Sequence, residues 1–330
     1  MNHGKEIGVA FIGAGVVAEM HGRGLAATPG TRLIGVYDPA TSQAKKIAGK
    51  FGGRVFNNFD ELLGDESIEA VHVLTPVPSH VPIALQALQA GKHVLVEKPV
   101  ATTTQEIRQL QAAARKYQRV CMPAHNYIYV PSLHRAKRLI ANRKLGQVAA
   151  LWILYNILHP EQIVAQYGRN VLHAVCIHHA YSLLYLLGRP AKVSAATSCA
   201  RQWKFKFDDQ AAITCEMPGG AMAHLWCSLA VNDPTNDPWT VLYKVLGTNG
   251  GLTYSWNEAQ FEDAGGPAWG LPCYEDGFRG EIDFFINHAI RQGEEPLSTL
   301  ADAADALQII QAAELSARTG KKQVVTYKQH

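Results

Sequence analysis

The sequence lacks a CxxC pair, a block of lysine and arginine, and any apolar stretch of about twenty residues. Each absence excludes something. Six cysteines stand at positions 121, 176, 199, 215, 227 and 273 with no framework spacing. Neither a disulfide scaffold nor a zinc module is readable from them, and in a chain with an ample core they read as buried thiols of a reducing compartment. No candidate transmembrane helix exists, so no membrane partner is expected. Net charge is only +3, with 18% charged residues. Lys204 and Lys206 are split by Phe205, and Lys321-Lys322 is an isolated pair. Nothing there tracks a phosphate backbone, which argues against a nucleic-acid partner. The apolar run after Lys5 is followed by Glu19, Met20 and His21 rather than a small-residue cleavage site. It reads as strand and turn instead of a secretory signal, and a cytoplasmic location is expected.

What is present is a long apolar chain. At 330 residues and 47% hydrophobic content, it suits two domains rather than one core. The first 120 residues alternate. Strand-like runs at Ile7–Ile12, Arg32–Tyr37, Ala70–Leu74, His93–Val96 and Val120–Met122 are separated by helical segments at Val16–Ala27, Thr41–Phe51, Ser79–Ala90 and Thr103–Tyr117. Thr41 or Ser42, and Ser79, are the expected caps. Strands apolar on two faces with helices between them predict a parallel sheet covered on each side. After Pro123 the pattern changes. Following a helix at Pro131–Asn142, strand candidates run from Val148–Ile157 through Lys192–Cys199, Ala211–Met217, Ala221–Val231, Thr240–Leu246 and Gly251–Ser255. One long helical insert lies at Val171–Leu187, and two late helices at about Arg279–Gln292 and Ala301–Arg318. The expected fold class is α/β: an N-terminal Rossmann domain over 1–124 and a C-terminal α/β domain over 125–330 with a mainly antiparallel open sheet. Trp226, Trp239 and Trp256 are expected on that sheet's packed face or at a subunit interface.

Gly13-Ala14-Gly15-Val16-Val17-Ala18 matches G-x-G-x-x-[GA] between a strand and a helix. Gly13 permits the tight turn, Gly15 lets the backbone approach a pyrophosphate, and Ala18 keeps the helix close to the strand. The N–H groups of Val16 and Val17 then face the anion at the helix N-terminus. Asp38 ends the second strand, where a carboxylate accepts ribose hydroxyls and repels a 2′-phosphate. The next residue is Pro39 rather than Arg. The expected cofactor is therefore NAD in preference to NADP.

Three further segments carry a resemblance. Thr75-Pro76-Val77-Pro78-Ser79-His80 follows the fourth run, Gly91-Lys92-His93-Val94-Leu95-Val96-Glu97-Lys98-Pro99 follows the next helix, and Ala312-Ala313-Glu314-Leu315-Ser316-Ala317-Arg318-Thr319-Gly320 stands near the end. With the glycine turn, these resemble the glucose–fructose oxidoreductase, inositol dehydrogenase and rhizopine-catabolism (Gfo/Idh/MocA) family over nearly the whole chain. The resemblance implies an NAD(P)-dependent enzyme that oxidises or reduces one carbinol of a sugar, inositol or related compound. It implies that Thr75, Pro76, His80 and Asn126 line the cofactor cleft and that Glu97 contacts the nicotinamide ribose. Lys98 would sit between nicotinamide and substrate, turned inward by a cis bond to Pro99. It also implies a homodimer or homotetramer built through the C-terminal sheet. The chemistry agrees: a forming alkoxide needs a nearby positive donor, which a lysine beside a desolvated cofactor supplies.

The substrate half departs from the family pattern. Its catalytic His is usually preceded by an Asp four residues earlier, on a helix ending at a glycine ten residues on. Counting back from Gly188 reaches His178, and position 174 is Ala. The glycines that usually precede the motif are replaced by Arg169-Asn170. Of His173, His179 and Tyr181, only Tyr181, three residues on, shares the His178 face by simple spacing. Lys98 and His178 are the expected catalytic residues, with Tyr155, Asn156 and Tyr181 as expected substrate contacts. His159 ends the same segment. No metal is expected, because His173 and His178 point apart and no remote ligand pair accompanies Cys176 and His179. Missing Asp chemistry leaves two alternatives open: a lyase or glycosidase that retains NAD and uses it transiently, or a non-catalytic dinucleotide sensor.

Overall fold

The computed structural model describes residues 5–167, 170–231, 240–255 and 272–327. The chain divides into two compact units. One takes in Met1–Tyr129 with Glu275–Ala304, the other Val130–Tyr274 with Asp305–Gln329.

The first unit alternates strand and helix. In order these are β1 (Ile7–Ile12), α1 (Val16–Ala26), β2 (Thr31–Tyr37), α2 (Thr41–Phe51), β3 (Arg54–Phe56), α3 (Phe59–Gly64), β4 (Ala70–Val73), α4 (Val77–Gln89), β5 (His93–Val96), α5 (Thr104–Tyr117) and β6 (Cys121–Pro123). The six strands form one parallel sheet in the order β3-β2-β1-β4-β5-β6. Every residue of β1 and β4 is buried, as expected of strands covered on two faces. The strand order reverses between β1 and β4. The carboxyl end of β1 is therefore the switch point at which such sheets open a ligand crevice.

Local chemistry sets most helix starts. Thr103 caps α5 in a full capping box with Glu106, which satisfies two orphan N–H groups at once. Asn58 caps α3 by accepting from the Asp60 and Glu61 N–H groups. Two expected caps are corrected. α4 begins at Val77 with Pro76 at the cap, because Pro78 needs no N–H partner in a first turn. Ser79 lies inside the helix, its hydroxyl donating to the Pro76 carbonyl at 2.7 Å. α2 has Ala40 at its cap and no side-chain cap from Thr41 or Ser42. Instead Asp38 Oδ1 accepts the Ala40 N–H at 2.7 Å. A short 3₁₀ turn, Asn126–Tyr129, follows β6.

The second unit begins with α6 (Pro131–Ala141), β7 (Val148–Asn156) and the one-turn α7 (Glu161–Val164). A π-helical turn at Leu172–Cys176 leads directly into α8 (Ile177–Leu187). Strands β8 (Lys192–Ser198), β9 (Gln210–Glu216), β10 (Met222–Ser228), β11 (Thr240–Gly247) and β12 (Gly250–Ser255) follow. After them come α9 (Pro272–Asp283), a second π-helical turn (Phe284–Ile290), α10 (Leu300–Thr319) and β13 (Gln323–Val324). The sheet order is β12-β11-β7-β10-β9-β8-β13. Only β7 and β10 pair in parallel; the other pairs are antiparallel.

This sheet has a covered face and an open one. Leu151, Ile153 and Tyr155 of β7 are buried, and Trp152 between them is exposed. On the covered face, the hydroxyls of Ser182 in α8 and Tyr243 in β11 meet at 3.1 Å. The Ser316 hydroxyl of α10 accepts the Ala195 N–H at 3.0 Å. On the open face, the Trp152 ring packs against His224 at 4.6 Å, and Trp152 remains 48% exposed. Trp226 alternates in step with His224 and so belongs to the open face, not the packed one. Trp239, Trp256 and Arg169 lie outside the described residues, as does the side chain of Cys273. The buried-thiol expectation holds for Cys121, Cys176, Cys215 and Cys227 but not for Cys199, which is exposed. Cys199 stands just past the end of β8, where its thiol turns back on the Arg201 carbonyl at 2.9 Å.

Candidate active site

The glycine turn shows two different uses of a missing side chain. Gly13 sits at φ +100°, and a Cβ there would meet the Leu74 carbonyl oxygen at 2.6 Å. It is required by the fold. A Cβ on Gly15 would meet nothing within 4 Å, so the space beside it is open. Gly15 caps α1 without a side-chain bond, and Val16 is 66% exposed. The first N–H groups of an eleven-residue helix therefore end at an open cradle, with the positive end of the helix dipole behind them. Asp38 stands beside it. Its Oδ2 accepts the Ala14 N–H at 2.8 Å, tying the end of β2 to the turn. Its other lone pairs are of the right kind for ribose hydroxyls. These residues fit a dinucleotide on backbone donors, open volume and a carboxylate.

The opposite side of the switch point carries Glu97-Lys98-Pro99 at the end of β5. The Lys98–Pro99 bond is cis. Glu97 is buried, and its Oε2 accepts the Lys98 backbone N–H at 2.9 Å. Burial pushes the Lys98 ammonium below its usual range, with Glu97 opposing. Burial works against the ionised Glu97 carboxyl, but His21 and Lys98 outweigh it and hold it below its ordinary value. His80 is tied down at each ring nitrogen: Nε2 lies 2.6 Å from the Thr75 carbonyl and Nδ1 2.9 Å from the Pro99 carbonyl. It links the loop after β4 to the cis-proline turn. The Thr75 hydroxyl accepts from Ser79 at 2.9 Å, Pro76 caps α4, and Asn126 is buried at the start of the 3₁₀ turn.

Two neighbours of Glu97 escaped the reading of the sequence. His21, on α1, places Nε2 3.1 Å from Glu97 Oε1, and His72, in β4, places Nδ1 3.1 Å from His21 Nδ1. The available signal was the imidazole in the otherwise apolar run Ala70-Val71-His72-Val73.

In the second unit, His178 is buried on α8 and its Nδ1 lies 2.6 Å from the Tyr181 hydroxyl. The i,i+3 spacing had selected that partner. Ala174 lies in the π turn and is half-buried. His173 points elsewhere, pairing with Glu314 of α10 at 3.2 Å. Burial lowers His179 to about 4, and the Tyr155 ring lies 6.1 Å from it. Tyr155 is thus packed on the covered face. Asn156, the next residue, is buried with no hydrogen-bond partner on Oδ1, an acceptor suited to a hydroxyl. Cys176 faces Cys227 of β10, with the sulfurs 2.9 Å apart. Among the described residues no group of three His, Cys, Asp or Glu is placed to hold a metal ion.

A parallel sheet with an open glycine cradle at its switch point defines a dinucleotide-binding protein. The chain belongs to the Gfo/Idh/MocA oxidoreductase family. Residues 7–125 match that family's NAD-binding Rossmann fold, and residues 133–253 match its C-terminal domain. Glucose-6-phosphate 3-dehydrogenase of Bacillus subtilis is 35% identical over 147 residues, 44% of this chain and 41% of that protein. 1,5-Anhydro-D-fructose reductase of Ensifer adhaerens is 28% identical over 208 residues, 60% of this chain and 62% of that one. The chain thus spans less than two thirds of the length of either curated relative. Among solved structures, GenD2 from gentamicin A biosynthesis, in complex with NAD, is 27% identical with a TM-score of 0.87, covering 99% of this chain and 98% of that one. No helix among the described residues is long and apolar enough to cross a membrane.

Proposed function

We propose that the protein is an NAD(H)-dependent oxidoreductase acting on a carbinol or ketone of a sugar, inositol or sugar derivative. The observation that carries this reading is the buried Glu97 carboxylate joined to Lys98 at the carboxyl end of β5, facing the crevice that parallel sheets use for ligands. Bound NAD supplies the hydride acceptor. The chain's own residues do the rest. Gly15, Val16 and Val17 offer N–H groups to the pyrophosphate, and Asp38 accepts ribose hydroxyls and disfavours a 2′-phosphate, so NAD is preferred to NADP. Glu97 accepts from the nicotinamide ribose. Lys98 steadies the developing alkoxide with its charge, and His178 takes the hydroxyl proton. Asn156 and Tyr181 orient the substrate hydroxyls, with Tyr181 also fixing the His178 ring. Tyr155 supports this set from the covered face.

In this reading residues 1–124 bind cofactor, and 125–330, apart from Glu275–Ala304, which belong to the first unit, hold the substrate and the subunit contact. The open face bearing Trp152 and Leu246, which are 48% and 39% exposed, builds a homodimer or homotetramer. The relatives support the substrate class, because those named above act on glucose 6-phosphate and anhydrofructose. The NAD in the GenD2 complex supports the cofactor.

The test is a steady-state screen. Purified protein is given NAD or NADP with sugars, sugar phosphates, inositols and anhydrosugars, and NADH absorbance is followed. Turnover with NAD on at least one polyol is expected. NADH binding without turnover of any of them would overturn the reaction and leave the dinucleotide site standing. Copurified NAD that never exchanges would redirect the assignment to transient redox.

A further inference from the structure

Glu97, His21, His72 and Glu281 are four buried titratable side chains of the first unit, and of these only Glu97 has a part in the proposed reaction. His72 and His21 are fully buried, and their Nδ1 atoms lie 3.1 Å apart, within hydrogen-bond reach. His21 Nε2–H donates to Glu97 Oε1 at 3.1 Å, and the Lys98 backbone N–H donates to Glu97 Oε2 at 2.9 Å. The carboxylate is held at each oxygen, so it cannot turn. The imidazoles are themselves held by aromatic rings. Phe11 stacks on His72 at 5.1 Å, Phe285 meets the His72 edge at 5.9 Å, and Phe278 meets His21 at 5.4 Å.

The charge around Glu97 is arranged to the same end. The groups facing it are His21, Lys98, His80, His125 and Glu281. Glu281 is fully buried and neither of its oxygens has a hydrogen-bond partner. Burial, and then Glu97, push its carboxyl well above the ordinary range. Burial also holds His72, His80 and His125 below their ordinary values. His21 and Lys98 thus pull the Glu97 carboxyl toward its ionised form, while burial and Glu97 push Glu281 the other way.

His21 adds a connection. It lies on α1, the helix whose first turn begins at the open glycine cradle. We propose that His21, backed by His72, is a positioning residue for Glu97: the helix that offers N–H groups to the pyrophosphate also aims the carboxylate that meets the nicotinamide ribose. This rests on the assignment of Glu97 to the cofactor made above. Its content is a coupling between two ends of one ligand through a single helix and one imidazole.

A double-mutant cycle reads that coupling without any substrate. NADH affinity is measured by fluorescence for the wild type, His21→Phe, Glu97→Gln and the double variant. Phe preserves the aromatic volume and removes the donor. His21→Phe is expected to raise the NADH Kd about tenfold in the wild type and less than about twofold in the Glu97→Gln background, because coupled residues are non-additive. His21→Gln, whose amide retains an N–H, is expected to recover most of the loss. His72→Phe, a milder change that leaves His21 in place, is expected to weaken binding about threefold only when Glu97 is present. Equal factors in the two backgrounds would show a packing role and overturn the proposal, as would a lowered melting temperature with unchanged NADH affinity. Glu97→Gln binding NADH like the wild type would place the failure in the Glu97 assignment itself, and the inference falls with it.

Discussion

The helices α1 and α8 each open a functional region, and they open it differently. α1 begins after a glycine, with an exposed Val16 and no side-chain cap. What it presents is backbone. α8 is entered through the wider turn at Leu172–Cys176, and its first residues, from Ile177 to Leu184, are all buried. What it presents is side chains: His178 with Tyr181, and an alanine at 174. A backbone site needs only room and the correct helix start, so any relative that keeps the glycines can bind the same phosphate. A side-chain site changes its chemistry with each substitution. In the proposed reading the first unit thereby suits a shared cofactor and the second a private substrate.

The difference can be broken or sharpened by experiment. The largest effect is expected at Lys98. Lys98→Met should lower turnover on the order of 10³-fold, the scale of an acid–base or electrostatic group, with NADH affinity within about threefold of wild type. A turnover within tenfold would remove the lysine from the chemistry. Next comes a steric probe of the cradle. Gly15→Val should weaken NADH about 10- to 100-fold without moving the melting temperature, because a Cβ there touches none of the described residues and enters the space of the pyrophosphate. Gly13→Val, by contrast, should fail to fold stably. In the second unit, Tyr181→Phe removes the hydroxyl 2.6 Å from His178. It should reduce kcat about tenfold, raise KM more modestly, and move the pH–rate profile. If KM alone rises, Tyr181 serves the substrate only and its bond to His178 carries no catalytic weight.

The smallest effect concerns stability. His179 is held near 4 by burial, against about 6.5 for a free imidazole. Below 6.5 the unfolded chain binds a proton that the native chain refuses. The stability this neutral His permits is complete above 6.5 and is lost as pH falls from 6.5 through about 4. His179→Phe should flatten the acid limb of the denaturation curve by up to about 1.4 kcal/mol per pH unit in that window. An unchanged limb would mean that other groups carry the acid sensitivity.

The two regions were also unequally legible. In the first unit, periodicity and glycine placement marked β1, α1 and β5 to within a residue. The signal there is physical: a strand buried on two faces is apolar without interruption, and φ above zero selects glycine. β3 and α3 were missed because three strand residues and six helical residues carry too little pattern. The start of α4 was misplaced because Ser79 looks like a cap, whereas Pro78 lets the helix begin earlier. In the second unit the alternation of β7 to β12 was readable, but not the parallel pairing of β7 with β10, which depends on where a long connection returns. The position of His178 was reached through the family's pattern, by counting back from Gly188, and its neighbour Tyr181 by helix spacing. His21 and His72 lay hidden because a contact across 51 residues leaves no local trace. The open space beside Gly15 is likewise a property of the folded chain alone.

Asp38 has a bearing on how such a chain can change over time. One of its oxygens braces the Ala14 N–H and the other the Ala40 N–H. A shift of preference toward a phosphorylated ribose requires that carboxylate to leave, and its departure also unties the turn from α2. A single replacement by a cation therefore meets two penalties at once, one in order and one in geometry. A neutral acceptor such as Asn keeps a brace while giving up the charge. The preference for NAD proposed above is thereby tied to the geometry of the turn that the same carboxylate braces.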